Sequence, residues 1–341
     1  MSNTHDMRRS TVLLSCLVLL LSVLPAAAQP SGDGALVFAP AGLSVDQYDV
    51  VTTPEVVEVE AHDGVVLHTR VYRPDTGGVA TPVILVHSPY YNGLLLGDDT
   101  RSLDLVEFFT PKGYTVVLSD LRGTGNSGGC GEQDGPNQAK DFATLVEHFA
   151  DQPWSSGKVG SYGKSYDAET QHAGAVLDPR GLETMVSVAG IAGLYDVAYF
   201  DGVPLALNGV LSATAYELYD LDVPGDVGAM PRRFERHTCQ PENFANGADP
   251  RGDMTDYWAE REFRAGVDDI TASMLMVTGL QDFTVSPINL DGWFDEIPTF
   301  RRAIIGQWPH KYPYDAADPI ARDDWYDTVH AWFDHELMGL D

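Results

Sequence analysis

Gly160-Ser161-Tyr162-Gly163-Lys164-Ser165-Tyr166-Asp167 joins an apolar-leaning run, begun at Lys158-Val159, to a helix-compatible segment from Ala168 to Leu177. A serine at a sharp strand-to-helix turn, with a small residue two positions before it, is the layout of a nucleophile elbow. Such a turn lifts the hydroxyl above the edge of a sheet. A base reaches it from one side and a substrate carbonyl from the other. The reading makes Ser165 a candidate nucleophile for acyl transfer; the alternative is an ordinary turn serine.

The flanking sequence supplies the sheet that such an elbow needs. Val56 to Pro74 alternates apolar and polar residues around Asp63-Gly64, a hairpin signal. Pro82 to Ser88 is a continuous apolar run, as expected of a buried parallel strand. Ser102 to Lys112 reads as a helix closed by Gly113, and Tyr114 to Leu118 as the next strand. Ala139 to Ala150 carries apolar residues at helical spacing, followed by a strand at Val159 to Tyr162. Leu182 to Val188, Ser273 to Thr278 and Arg302 to Gly306 give further strands, and Asp323 to Leu337 a terminal amphipathic helix. Strands alternating with helices imply βαβ units and a mostly parallel sheet. The segment 193–267 breaks this rhythm and reads as a largely helical cap inserted between core segments 29–192 and 268–341.

A hydroxyl that attacks a carbonyl at neutral pH needs a base, and the base needs an orienting carboxylate. On a doubly wound hydrolase sheet these follow the serine as acid, then histidine. Asp282 stands just past the strand that ends at Gly279, and His310 in the loop after the strand that ends at Gly306. The order Ser165, Asp282, His310 fits. Asp282 could instead cap the following helix at Ser286, and Asp291 and Asp295 are rival acids within that helix rather than at a strand end. His330 and His335 compete as bases from the terminal helix, while His87 and His172 are out of order. The oxyanion donors expected are the Tyr166 N–H and, from the loop after the strand at 82–88, the Tyr90 hydroxyl. Packing under the cap is the other reading of Tyr90.

Composition narrows the remaining classes. The 341 residues carry 21 Lys and Arg against 50 Asp and Glu, for a formal net charge of −29. Residues 1–28 read as a secretory signal: Arg8-Arg9, an apolar stretch from Thr11 to Leu24, and Pro25-Ala26-Ala27-Ala28 as a cleavage site. Removing Arg8, Arg9 and Asp6 leaves 19 basic and 49 acidic residues, a net −30. A polyanion of this kind excludes nucleic acid and anionic lipid as expected partners, and the exported mature form is expected to be free of the membrane. Cys130 and Cys239 remain after cleavage; in an exported protein the even pair suggests one disulfide, with two free thiols as the alternative. No metal-ligand spacing is present, and no cofactor is expected. Asp120 to Gly129 fails the dinucleotide fingerprint and reads as a tight turn in which Arg122 meets a buried acid. Gly163-Lys164-Ser165 lacks the earlier glycine of a phosphate loop, because Lys158 stands there.

Several motifs in order resemble a family. Asp63-Gly64-Val65, Pro89-Tyr90, Asp120-Leu121-Arg122-Gly123-Thr124-Gly125, Gln152-Pro153-Trp154-Ser155-Ser156-Gly157-Lys158-Val159-Gly160 and Gly163-Lys164-Ser165-Tyr166-Asp167 resemble the Xaa-Pro dipeptidyl-peptidases (the S15 peptidases), which also include cocaine esterase and the glutaryl acylases. Gly193-Leu194-Tyr195-Asp196, Tyr257-Trp258-Ala259-Glu260-Arg261 and Gly279-Leu280-Gln281-Asp282 are similar to the secreted bacterial members. The resemblance implies an α/β-hydrolase fold with Ser165, Asp282 and His310 as triad, and Tyr90 and Tyr166 as oxyanion hole. It implies a small peptide as substrate, or an acyl ester or amide if the chain works as a carboxylesterase. Two departures stand out. Ala168 occupies a position where the family usually has glycine, and the chain ends at Asp341 where members commonly continue into a jelly-roll β-domain. Exopeptidase action also requires a group for the substrate's ammonium, for which Asp167, Asp196 and Asp201 are candidates. A non-catalytic binding protein is the reading from a different class.

Overall fold

A computed structural model describes residues 42–91, 100–205, 239–247, 249–290 and 292–340. The expected signal, 1–28, the central part of the 193–267 insertion and the rival acid Asp291 lie outside the described residues.

The hairpin forms as its sequence requires. β1 (Glu55–Glu60) and β2 (Val66–Tyr72) pair antiparallel, and Gly64 takes the turn at φ 83°, a region open to glycine at no steric cost. β3 (Thr81–Ser88), β4 (Thr115–Asp120), β5 (Ser155–Lys164) and β6 (Leu182–Val188) follow. A two-residue ribbon, β7 (Tyr199–Phe200) with β8 (Val203–Pro204), stands apart. β9 (Ser273–Gly279) and β10 (Arg301–Gly306) complete the main sheet. Its eight strands run in the order β1-β2-β4-β3-β5-β6-β9-β10. β2 meets β4 antiparallel, and every pair from β4 to β10 is parallel.

Period-two alternation sends successive side chains to opposite faces, which the buried strands make explicit. Val83 and Leu85 of β3 enter one apolar core with Phe142, Leu145 and Phe149 of α2 (Pro136–Ala150) and Ala173 of α3 (Tyr166–Ala175). Ile84 and Val86 enter the other, with Leu105 and Phe109 of α1 (Thr100–Phe109) and Trp325, Val329 and Phe333 of the terminal helix, Trp325–Phe333. The sheet is therefore the middle of three layers, which is why β3, buried along its whole length, reads as an unbroken apolar run.

A buried ion pair braces the front of the sheet. Arg122 clamps both oxygens of Asp141 at 2.6 Å and reaches Asp63 of the hairpin at 2.9 Å. Asp141 is wholly buried, so the match answers the expectation of a buried acid for Arg122. The described parts of the insertion contain short helices at Tyr195–Ala198, Gln240–Gly247 and Asp256–Ala259. Tyr199, Tyr257 and Trp258 dock it on the α2–α3 core. Cys130 and Cys239 are joined as a disulfide, 109 residues apart in sequence with Cα atoms 5.9 Å apart.

Candidate active site

Ser165 sits between β5 and α3 at φ 61°, ψ −127°, a conformation L-residues rarely adopt. The turn is held on both sides. The Ser165 N–H donates to the Val188 carbonyl of β6 at 2.9 Å, and its own carbonyl accepts from Ala168 and Glu169 at 2.8 and 2.9 Å. Such tightness demands a bare Cα two residues earlier, since a Cβ on Gly163 would run into Asp167. Ala168 is fully buried, and Gly190 stands opposite it. A Cβ added at Gly190 would lie 3.2 Å from the Ala168 methyl and 2.7 Å from the His172 ring. The Ala168 methyl is accommodated because Gly190 carries no side chain.

Asp282 and His310 come from the loops after β9 and β10. With Ser165 after β5 and β6 lying between, the three residues lie at the carboxyl ends of neighbouring parallel strands, where open α/β sheets bind ligands. His310 Nδ1 is 2.7 Å from Asp282 Oδ2. The other oxygen, Oδ1, accepts the N–H groups of Thr284 and Val285, both at 2.9 Å. Oδ1 thus closes a tight turn, while Oδ2 meets His310. The helix expected at Ser286 does not form: a 3-10 turn at Pro287–Leu290 and a short helix at Trp293–Glu296 follow instead. A carboxylate on Nδ1 fixes that nitrogen as the N–H and leaves Nε2 as the acceptor.

Trp308 laces the two loops together, a feature sequence reading missed. Its carbonyl accepts the Gln281 N–H at 3.2 Å, and the Leu280 N–H donates to the Gly306 carbonyl at 2.8 Å. A Cβ on Gly279 would strike the Trp308 carbonyl, and one on Gly306 the Trp308 ring. Glycine at the last position of both strands is the signal that was available.

The rival histidines are engaged elsewhere. His87, wholly buried, has Nδ1 3.2 Å from Ser119 Oγ, and burial followed by the nearby Arg122 charge lowers it to about 3. His172 has Nδ1 2.7 Å from the Ile191 carbonyl, and burial lowers it to about 4. Both are neutral packing residues at physiological pH. His330 lies in the helix core within 2.7 Å of Ser44 Oγ, and His335 is exposed. Among the proposed oxyanion donors, Tyr166 opens α3 directly after Ser165, and Tyr90 lies in the turn after β3, its N–H on Ser88 Oγ at 3.1 Å. Of the ammonium candidates, Asp196 is bound to Arg264 at 3.1 Å, Asp167 is buried in the first turn of α3, and Asp201 is exposed. Among the described residues no group of three His, Cys, Asp or Glu side chains is placed to hold a metal ion.

The model of the X-Pro dipeptidyl-peptidase (S15) family matches residues 63–312, well over half of the chain. The chain belongs to that family, one of serine hydrolases. It is 28% identical over 295 residues to a Streptomyces avermitilis protein provisionally named Xaa-Pro dipeptidyl-peptidase, covering 77% of this chain and 41% of that one. Among solved structures it resembles an aminopeptidase from the marine sediment archaeon Thaumarchaeota archaeon, with TM-score 0.64, 18% identity, and 85% of this chain and 55% of the other covered. It also resembles an α-amino acid ester hydrolase, with TM-score 0.61, 19% identity, and 92% and 58% covered. Both likenesses establish the α/β-hydrolase fold. The chain spans between two fifths and three fifths of the length of these three proteins.

Proposed function

We propose that the chain is an exported serine hydrolase that acts as an Xaa-Pro dipeptidyl-peptidase through an acyl-enzyme. The observation that carries the reading is the Asp282–His310 pair at 2.7 Å, on the same sheet edge as the strained Ser165 turn. Ser165 Oγ attacks the carbonyl carbon of the penultimate proline while His310 Nε2 takes its proton. The Tyr166 N–H and the Tyr90 hydroxyl donate to the oxyanion that forms. Collapse breaks the C–N bond, and His310 returns the proton to the departing amine. Water then releases the dipeptide by the same two proton transfers in reverse order. Asp282 keeps the imidazole tautomer fixed and stabilises the imidazolium. The 193–267 insertion serves as the cap over this edge, and the segment 1–28 directs the chain to a compartment that sustains the Cys130–Cys239 bridge.

A paired assay tests the substrate class. Gly-Pro-anilide turnover is expected, and Ser165→Ala should lower it by at least about 10³-fold. Turnover of a short-chain aryl ester without turnover of the anilide would replace the peptidase reading with a carboxylesterase using the same three residues.

A further inference from the structure

Behind the elbow lies a pair of buried acids that the proposed chemistry leaves unused. Asp134 is 1% exposed and takes φ 57° in the loop that follows Cys130. Its N–H donates to the Tyr166 hydroxyl at 3.0 Å and to the side-chain oxygen of Gln138, which also accepts from the Tyr166 hydroxyl at 2.8 Å. Tyr166 is the residue directly after the candidate nucleophile. Glu169, 5% exposed, is in the first turn of α3, its N–H on the Ser165 carbonyl at 2.9 Å. Each acid therefore grips the elbow by its backbone, and their carboxyls face each other in the interior.

The surroundings do not neutralise both. Apart from the Glu169 carboxyl, neither oxygen of Asp134 has a hydrogen-bond donor in reach. Arg261, from the insertion, is the cation facing Asp134, but its donors are directed at carbonyls: Tyr257 at 2.6 Å, Glu132 at 2.8 Å and Gln133 at 2.9 Å. Lys164 and Asp167 face Glu169 with opposite charges, and Tyr166 and Tyr257 are the other titratable groups facing Asp134, the Tyr257 hydroxyl donating to Asn243 Oδ1 at 3.1 Å. Burial first, then the facing Asp134, holds the Glu169 carboxyl well above the ordinary carboxylate range. Two adjacent carboxylates in a dry interior cannot both ionise cheaply, so one proton stays with the pair.

We propose that Asp134 and Glu169 are positioning residues for the elbow: a proton retained between their carboxyls holds the Asp134 loop against the first turn of α3, and so aligns the Tyr166 N–H and the Ser165 hydroxyl. The proposal rests on Ser165 being the nucleophile. Alkali removes the proton, the two carboxylates repel, and the grip on Tyr166 loosens. Alignment of the reacting groups suffers before substrate binding does.

The test is the pH dependence of kcat and KM, from about pH 6 to about 10, for the full chain and its Glu169→Gln variant, alongside the rate of fluorophosphonate labelling. Wild type should lose about tenfold or more in kcat and in labelling rate on the alkaline side, with KM moving less than about threefold. Glu169→Gln, whose amide donates without a proton to lose, should hold both rates across the same range. Asp134→Asn removes the opposing charge and should do likewise, so it carries the comparison if Glu169→Gln fails to fold. Variant profiles that superimpose on a falling wild-type profile, or a wild-type profile that stays flat, overturn the proposal while leaving Ser165 as nucleophile. A wild-type chain inert to both substrates and to the label overturns the nucleophile reading and this proposal with it.

Discussion

His172 shows how a single buried side chain can carry a pH signature unrelated to the reaction. Its Nδ1 faces the Ile191 carbonyl and its ring packs 5.4 Å from Trp293. Burial holds its pKa at about 4, against about 6.5 in an unfolded chain. Between those values the unfolded state binds the extra proton, so stability falls as pH falls through the window and is regained above it. Lowering the pH from about 7 to about 5 should therefore cost roughly 2 kcal/mol through this residue alone. Urea unfolding of wild type and His172→Gln at the two pH values checks it. The variant should lose correspondingly less on acidification, and equal losses would show that His172 is not held neutral. At the same scale, the tight strand-to-helix turn at Ser165 was legible because Gly163, two residues earlier, leaves room for it. The Asp134–Glu169 pairing was not, because it depends on two segments approaching through Tyr166 and Gln138, which no local spacing records.

The packing of α3 decides the sign of an otherwise ambiguous substitution. Glycine inside a helix usually gains about 0.5–1 kcal/mol on replacement by alanine. Gly174 is different: a Cβ there would enter the Phe142 ring of α2, where α2 packs on α3. Gly174→Ala should therefore destabilise the fold, by about 1–3 kcal/mol. Thermal unfolding measures it, and a raised Tm would mean that Phe142 yields freely. Elements were the most readable scale in the sequence. β3 and β6 follow their apolar runs closely. β5 starts at Ser155 rather than Val159, because its polar first residues join through pairing of Ser155 with Thr81, not through apolar side chains. The β7–β8 ribbon, two residues a side, leaves no periodicity to find. The acid and base loops were placed by strand ends, but their lacing by Trp308 across Gly279 and Gly306 emerges only when β9 and β10 lie side by side.

Across the whole molecule, covalent and ionic ties join segments far apart in sequence. The Cys130–Cys239 bridge links the loop before α2 to the insertion, and Asn243 Nδ2 donates to the Gly131 carbonyl at 2.8 Å beside it. Arg261 of the insertion grips the same loop through the Glu132 and Gln133 carbonyls. Closing a loop of 109 residues restricts the unfolded chain, and the double variant Cys130→Ser with Cys239→Ser should lose roughly 2–5 kcal/mol. The same loss should follow reductant in wild type and be absent from the variant; a wild type indifferent to reductant would contradict it. Among the described residues no helix is long and apolar enough to cross a membrane. The mostly parallel sheet was readable from sequence because strands alternate with helices along the chain; the placing of β4 outside β3 was not, because strand order is set by tertiary pairing. The substrate class was not readable either, because no local motif records the shape of a pocket.

The central claim is that Ser165 is the activated nucleophile. Fluorophosphonate labelling of the intact chain, with the modified residue located by peptide mass spectrometry, tests it most directly. Stoichiometric modification is expected on Ser165, and none in Ser165→Ala. An unlabelled wild type, or a label on another residue that persists in the variant, would contradict it.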